Sequence, residues 1–203
     1  MTEAAARGSR PTAPTPASGA AASSPTLIAL IAAAAFFMEI LDATIITPAI
    51  PEIARSFGTT PVAVSTGISS YLITVAIFIP ASAWLSDRFG ARNVFSCAIA
   101  LFTVASVLCG MSETLTEFTL ARILQGIGGA MMSPVGRIEV MRRTDKAQLL
   151  RTIAFLTWPG LSAFVVGPPL GGLLTTYLSW RWIFFINVPI GIAGIILVRM
   201  FFD

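Results

Sequence analysis

Long apolar runs alternate with short polar stretches along most of this chain. A run of about twenty apolar residues can cross a hydrocarbon core of roughly 30 Å as a helix, and the pattern fits such a run six times. The sequence therefore predicts an all-α membrane protein with six transmembrane helices. The predicted spans are approximately Thr26 to Ile50, Val62 to Leu85, Asn93 to Gly110, Leu115 to Val140, Ala147 to Leu178 and Trp182 to Phe202.

The stretch from Met1 to Pro25 has a different composition, rich in alanine, serine, threonine and proline, with little to bury. We expect a disordered cytoplasmic tail there, followed by one six-helix bundle over residues 26–203. A cleaved signal peptide is the alternative. However, the apolar run that follows is about twice the length of a signal h-region, so we expect it to stay in the membrane.

Composition supports the membrane assignment. Of the 203 residues 55% are hydrophobic and only 11% are charged, whereas about a quarter of the residues in a soluble domain are charged. The net charge of +3 is what cytoplasmic membrane loops produce, so no nucleic-acid partner is expected. No phosphate-binding loop, nucleophile elbow or cluster of metal ligands is evident, which argues against an enzyme, an ATP-driven pump, a cofactor or a metal.

Basic residues gather in every second connection between the predicted spans. By the positive-inside rule these connections, and with them the N-terminus, lie in the cytoplasm. An even number of spans returns the C-terminus to the same side. Trp180 and Trp182 follow the fifth span, and we expect their rings at the outer headgroup level. The cytoplasmic groups are Arg7 and Arg10, then Arg88 and Arg92, then Arg142, Arg143, Lys146 and Arg151.

Two carboxylates, Glu39 and Asp42, lie inside the first predicted span. An ionised group there is costly unless it faces a polar cavity or a partner. At about 1.5 Å per residue, they lie at a depth similar to that of Arg122 in the fourth span. Burial disfavours a charged carboxylate, whereas a nearby arginine favours it. The sequence therefore predicts a cluster that handles protons or cations, with a buried ion pair that only fixes helix packing as the alternative.

Small residues recur at helical spacing in the fourth and fifth spans. In the fifth, a stripe of small residues would let another helix approach closely. Tandem prolines in the same segment could bend the helix, so gating and packing are both open. In the fourth span we favour packing alone. The stripe comprises Ala163, Gly167 and Gly171, and the fourth-span pairs are Gly126 with Ala130 and Gly129 with Ser133.

The turn after the second span, "AWLSDRFGARN", resembles the motif G-x-L-a-D-r-x-G-r-k of the major facilitator superfamily. Ala83 replaces its first glycine and Ala91 replaces one basic residue. The matching positions are Leu85, Asp87, Arg88, Gly90 and Arg92.

Further stretches resemble motifs of the fourteen-span drug/proton antiporters within that superfamily. "LDATIITPAIP" is similar to the first-span motif, with Thr47 and Pro48 where asparagine and valine are usual. "RILQGIGGA", "GPPLGG" and "WRWIFFINVPIG" are similar to motifs of the fourth, fifth and sixth spans. The matches occur in the expected order along the chain.

This resemblance implies export of amphipathic compounds in exchange for inward-moving protons, in the inner membrane of a bacterial-type cell. Glu39 is not fixed by any motif, so its assignment to coupling depends on its burial alone. By resemblance Asp42 and Arg122 belong to proton and substrate coupling, Asp87, Arg88, Gly90 and Arg92 to a conformational latch, and Gly167, Pro168, Gly171 and Gly172 to a helix contact that restrains leakage.

Transporters of this kind rock one six-span bundle against another around a midplane site. This sequence supplies one bundle, so we expect either a truncated transporter or a chain that pairs with a second polypeptide. We favour truncation, because the latch and the stripe of small residues both imply helices from outside the chain. The expected partners are then the lipid bilayer, protons, an amphipathic small molecule and that second bundle, and the chain alone should lack efflux activity.

Other functions remain open from the sequence. One is a facilitator that imports sugars or organic acids, and another is a nonenzymatic membrane subunit whose helices only scaffold a partner. A six-span channel is a weaker interpretation, because the sequence has no repeated pore loop or charged ring.

The charged turn generates the first prediction. Asp87→Asn should abolish transport by a complete transporter yet barely affect membrane insertion of this chain, because a latch needs the negative charge and a topology signal does not. Drug export and insertion efficiency should be measured on the same variant. A variant with normal export would reduce the turn to a topology signal.

Overall fold

The computed structural model describes residues 25–142, 144 and 146–201, and these fold into helices with no strand among them. The expected tail lies outside the described residues except for Pro25, at which the first helix begins. The helices are α1 (Pro25–Ile45), α2 (Ile50–Ser56), α3 (Pro61–Phe89), α4 (Ala91–Met111), α5 (Leu115–Arg142), α6 (Leu149–Tyr177), α7 (Trp182–Phe185) and α8 (Asn187–Phe201).

Five helical segments in the described part of the chain are long and apolar enough to cross a membrane, so the chain is a multi-pass membrane protein. They correspond to five of the six predicted spans. The fourth predicted span forms α5, which has 28 residues but lower hydropathy than the others. Its charged side chains lower the value: Glu117, Arg122, Arg137, Glu139 and Arg142.

Helix α5 occupies the centre of the bundle and packs against α1, α3 and α4. Glycines make this close packing feasible, because a Cβ on Gly126 would lie 2.8 Å from the Tyr71 carbonyl oxygen of α3. A Cβ on Gly128 would lie 2.8 Å from the Phe102 backbone nitrogen of α4. Helix α8 packs on α4 and α1, and α6 packs on α1. The packing role predicted for Gly126 fits this geometry.

Two predicted spans are interrupted where prolines remove backbone donors. The first span was expected to reach Ile50, but α1 ends at Ile45 and a 3-10 turn and α2 follow. Pro48 and Pro51 cannot donate the hydrogen bonds that would continue α1. The sixth span is divided into α7 and α8 at Ile186, three residues before Pro189.

The small-residue stripe of α6 packs against α1 of the same chain. A Cβ on Gly167 would collide with the Thr44 side chain, and one on Gly171 with the Ile45 carbonyl oxygen. The Thr44 hydroxyl also lies 3.4 Å from the Ala163 carbonyl oxygen that accepts its hydrogen bond. The expectation that this stripe requires a helix from outside the chain is therefore wrong. Sequence spacing shows that a stripe exists but does not show which neighbour it meets.

An aromatic cluster packs beside the turn that follows α2. Trp180 stacks edge-on against Phe57 at 5.4 Å between ring centroids, and Phe118 lies 5.8 Å from Phe184. Trp180 is buried among these rings, whereas Trp182 is half exposed, so of the two rings expected at the headgroup level that of Trp182 is available for contact with headgroups. Edge-on contacts between aromatic rings stabilise such a cluster beyond the area they bury.

The α1–α6 contact generates a paired prediction. Gly171→Ala should lower the free energy of unfolding by about 1–3 kcal/mol, because the new methyl group displaces backbone that cannot move independently. Gly172→Ala is the matched control, since a Cβ there meets nothing within 4 Å, and it should stabilise the helix by up to about 1 kcal/mol. Unfolding of both purified variants in detergent tests the difference. Equal stabilities would contradict the observed packing.

Candidate functional site

Asp42 of α1 and Arg122 of α5 form an ion pair in the interior of the bundle. The Arg122 Nη1 lies 2.6 Å from the Asp42 Oδ2, and both side chains are completely buried. The depth estimate from the sequence predicted that these residues could meet. Burial of both charges requires close geometry and further hydrogen bonds, because each group loses its hydration.

Two amides supply those further hydrogen bonds to Asp42. Gln125 Nε2 donates to Asp42 Oδ1 at 2.9 Å, and Asn187 Nδ2 donates to the same oxygen at 3.0 Å. Gln125 lies one turn after Arg122 on α5, and its Oε1 accepts a 2.8 Å hydrogen bond from Arg122 Nη1. The carboxylate thus accepts from three donors on two other helices.

Arg122 also lies over aromatic rings. Its guanidinium carbon is 4.2 Å from the Tyr71 ring centroid and 6.0 Å from that of Phe184. A desolvated guanidinium over an aromatic face gains about 2 kcal/mol or more, which offsets part of the cost of burying its remaining nitrogens. The Cys109 thiol lies 3.6 Å from Gln125 Oε1 and completes the surroundings of the pair.

The structure does not bring Glu39 into this pair. Ser133 of α5 donates a hydrogen bond to Glu39 instead, in a separate cavity of about 380 Å³. Arg137 also lines the cavity, and its guanidinium lies 4.7 Å from the Phe36 ring centroid. The expected three-member cluster is therefore divided, because depth along a helix does not specify the direction of a side chain. Ser133, interpreted from its spacing as a packing residue, holds a carboxylate.

The motif around Asp87 lies at the ends of α3 and α4. Asp87 Oδ1 is 3.1 Å from Arg142 Nη2, and both side chains are largely exposed. Arg92 donates to the Arg199 carbonyl oxygen near the end of α8 at 2.5 Å. Gly90 joins the two helices with φ of +82°, a conformation that other residues rarely adopt. Arg88 lies over the ring of its neighbour Phe89 at 5.9 Å.

Part of the predicted latch therefore has its contacts within this bundle. The expectation placed the partner of Asp87 in helices from outside the chain, whereas the observed partner is Arg142 at the end of α5. An exposed ion pair of this kind contributes at most about 1 kcal/mol, so it can open and re-form at little cost.

Sequence reasoning did not identify Gln125, Asn187 and Ser106 as members of the site. Ser106 accepts a 3.0 Å hydrogen bond from Asn187 and donates one of 2.9 Å to the Phe184 carbonyl oxygen. A signal was available, because buried polar side chains in apolar spans need partners. The sequence alone could not show which partner each one has.

The buried pair generates a stability prediction. Arg122→Met should lower the free energy of unfolding by about 3–5 kcal/mol, because it leaves Asp42 buried without its cation. The double variant Asp42→Leu/Arg122→Met should recover at least half of that loss. Arg55→Met, which removes an exposed arginine, is the control and should have little effect. A double variant no more stable than Arg122→Met would contradict the interpretation.

Comparison with known proteins gives concordant results. The chain is 49% identical over 164 residues to the "Putative multidrug resistance protein MdtD" of Salmonella paratyphi B, and 52% identical over 164 residues to the protein of the same name from Cronobacter sakazakii. Each alignment covers 81% of this chain and 35% of the relative, so the chain spans about a third of the length of these curated relatives.

Solved structures show the same fold. The xylose transporter XylE from E. coli, in an inward-open conformation, matches with a TM-score of 0.73 at 17% identity, covering 87% of this chain and 48% of that one. A D-xylose-proton symporter matches with a TM-score of 0.75 at 16% identity, covering 86% and 47%. The family model described as Major Facilitator Superfamily matches residues 23–203. The chain therefore belongs to the major facilitator superfamily.

Proposed function

We propose that this chain forms the first six-span bundle of a proton-coupled exporter of drugs or other amphipathic compounds. The names of its curated relatives support multidrug resistance, and membership of a transporter superfamily argues against an enzyme. The active transporter contains a second bundle, since this chain covers about half of the transporters that share its fold. It resides in the inner membrane of a bacterial cell, with both ends of this bundle cytoplasmic.

Helix α5, the fourth predicted span, also crosses the membrane and brings the number of spans to six. With 28 residues it extends for about 42 Å, longer than a hydrocarbon core of roughly 30 Å. Its most central charge, Arg122, faces the bundle interior and not lipid, as charged groups in membranes do. Residues 26–203 then form one bundle after a cytoplasmic tail.

The observation that carries the proposal is the fully buried Asp42–Arg122 pair with its two amide donors. In a conformation that admits water from the outer side, the Asp42 carboxylate takes a proton from hydronium, which becomes water; one O–H bond forms and the negative charge is removed. Arg122 keeps its own proton and is left as a buried cation without a counter-ion. That imbalance favours rearrangement of the bundle until the proton leaves to the cytoplasm.

We assign Glu39 to binding of the substrate. Its cavity combines the half-buried Glu39 carboxylate, the Phe36 ring with the Arg137 guanidinium over it, and the apolar side chains of Ile79 and Met141, which suits an amphipathic amine that displaces that guanidinium. An amine nitrogen would pair with the Glu39 carboxylate while the apolar part of the compound contacts the walls. Proton and substrate then bind to neighbouring but separate carboxylates on one helix.

The remaining motifs are assigned to conformational change. The motif residues form a latch at the cytoplasmic end, where the Asp87–Arg142 pair and the contact of Arg92 with Arg199 involve four helix ends. The latch comprises Asp87, Arg88, Gly90 and Arg92. In the GPPLGG segment, Gly167 and Gly171 seal α6 against α1, while Pro168 is exposed and available to a second bundle.

The test is transport in everted membrane vesicles that carry the complete transporter. Asp42→Asn should reduce gradient-driven accumulation of the drug at least about fivefold, because it removes the free energy that links the two binding events. Glu52→Gln, which neutralises a partly exposed carboxylate, is the control. Normal export with normal pH dependence in Asp42→Asn would overturn the role of Asp42.

Glu39→Gln in the same vesicles separates the substrate role from the proton role. It should raise the half-saturating concentration of a cationic compound by about tenfold, because one charge-assisted hydrogen bond is lost, and leave that of a neutral compound little changed.

Gradient-driven drug export by the 203-residue chain alone would contradict the need for a second bundle.

A further inference from the structure

Asn187 is the first residue of α8, directly after the interruption of the sixth predicted span at Ile186. It is completely buried, although an asparagine in an apolar helix is costly unless its amide finds partners. Pro189, two residues later, has no N–H and cannot donate to the Phe185 carbonyl oxygen one turn before it. The backbone therefore lacks one helical hydrogen bond at the position where α8 begins.

The amide of Asn187 connects this interruption to two other helices. Its Nδ2 donates to Asp42 Oδ1 of α1 and to Ser106 Oγ of α4, each at 3.0 Å. Ser106 in turn donates to the Phe184 carbonyl oxygen in α7 at 2.9 Å. A chain of three hydrogen bonds therefore runs from the Asp42 carboxylate, through Asn187 and Ser106, back to the interrupted backbone.

The strength of the first bond in this chain depends on the charge of Asp42. Hydrogen bonds to an ionised carboxylate are roughly twice as strong as those to a neutral acceptor. Oδ1 already accepts from both Gln125 and Asn187, so it has no lone pair left for another donor. Protonation of Asp42 forms one O–H bond and weakens all three hydrogen bonds that the carboxylate accepts. Asn187 can then keep its hydrogen bond to Ser106 without the one to Asp42.

We infer that Asn187 is a positioning residue that transmits the charge state of Asp42 to the α7–α8 interruption. This inference rests on the proposed function, in which Asp42 binds the proton. While Asp42 is ionised, Asn187 holds the start of α8 against α1. When Asp42 is neutral, α8 is released at a point where Pro189 already permits movement.

Other groups facing Asp42 act on its charge and not on α8. They come from every charged or titratable position packed around it in the described residues: Arg122 on α5, Tyr71 on α3, Cys109 on α4 and Glu39 on α1 itself. Arg122 and Gln125 both belong to α5, and among the described residues neither forms a hydrogen bond with α8. Asn187 alone joins the carboxylate to the sixth span among the hydrogen bonds of this cluster.

The experiment is hydrogen–deuterium exchange on the purified chain in lipid nanodiscs, followed over peptides that cover residues 184–191. Asp42→Asn removes the charge as protonation does, and it replaces one acceptor oxygen with an amide nitrogen that carries two N–H donors. It should accelerate exchange at the interruption by about tenfold in the wild-type background. In Asn187→Leu, exchange should already be fast, and adding Asp42→Asn should change it no further.

Thr103→Val is the matched control. Thr103 lies in the same α4–α8 interface, against Gly191, but its hydroxyl donates only to the Ile99 carbonyl oxygen of its own helix. In this background Asp42→Asn should still accelerate exchange about tenfold. A merely structural role for Asn187 would let Asp42→Asn act equally with and without it, so equal acceleration in both backgrounds would overturn the inference.

If Asn187→Leu does not fold, Asn187→Ser replaces it, because a serine hydroxyl is too short to join Asp42 and Ser106. Circular dichroism and a single elution peak establish folding of each variant. The measurement needs neither drug nor proton gradient. Absence of coupling in the exchange experiment would therefore refute only the role of Asn187, whereas normal, pH-dependent export by Asp42→Asn in vesicles would refute only the proposed function.

Discussion

The structure depends on how one bundle accommodates a charged pair in an apolar interior. Asp42 and Arg122 have no access to water, so each must find every partner it needs within the protein. The partners come from α5 and α8, and the Tyr71 ring comes from α3. The pair thus requires these helices to approach α1 in one particular arrangement.

Close approach of the backbones satisfies this requirement. Lipid is as apolar as the helices themselves, so helix association in a membrane depends on packing and hydrogen bonds more than on removal from water. Gly126 and Gly128 bring α5 against α3 and α4, and Gly167 and Gly171 bring α6 against α1. Within this packing the amide nitrogens of Gln125 and Asn187 lie 2.9–3.0 Å from Asp42 Oδ1.

The packing of the helices also gives two carboxylates, three residues apart on α1, different surroundings. Asp42 meets an arginine and two amides, whereas Glu39 meets one hydroxyl and an open cavity. Ser133 lies eleven residues after Arg122, about 16 Å along α5, and on nearly the same face. One face of α5 therefore provides a closed environment at one level and an accessible one at another, which suits separate handling of proton and substrate.

Patterns along the chain establish the helical class, five of the spans and the need of Glu39, Asp42 and Arg122 for partners, because apolar run length and the cost of buried charge act locally along the chain. The resemblance to the major facilitator superfamily likewise followed from motifs that occur in the expected order along the chain. Only the tertiary structure decided that Asn187 reaches Asp42, that Ser133 holds Glu39 and that the α6 stripe meets α1. These depend on helix rotation and on which helices become neighbours, and no pattern along one chain specifies either.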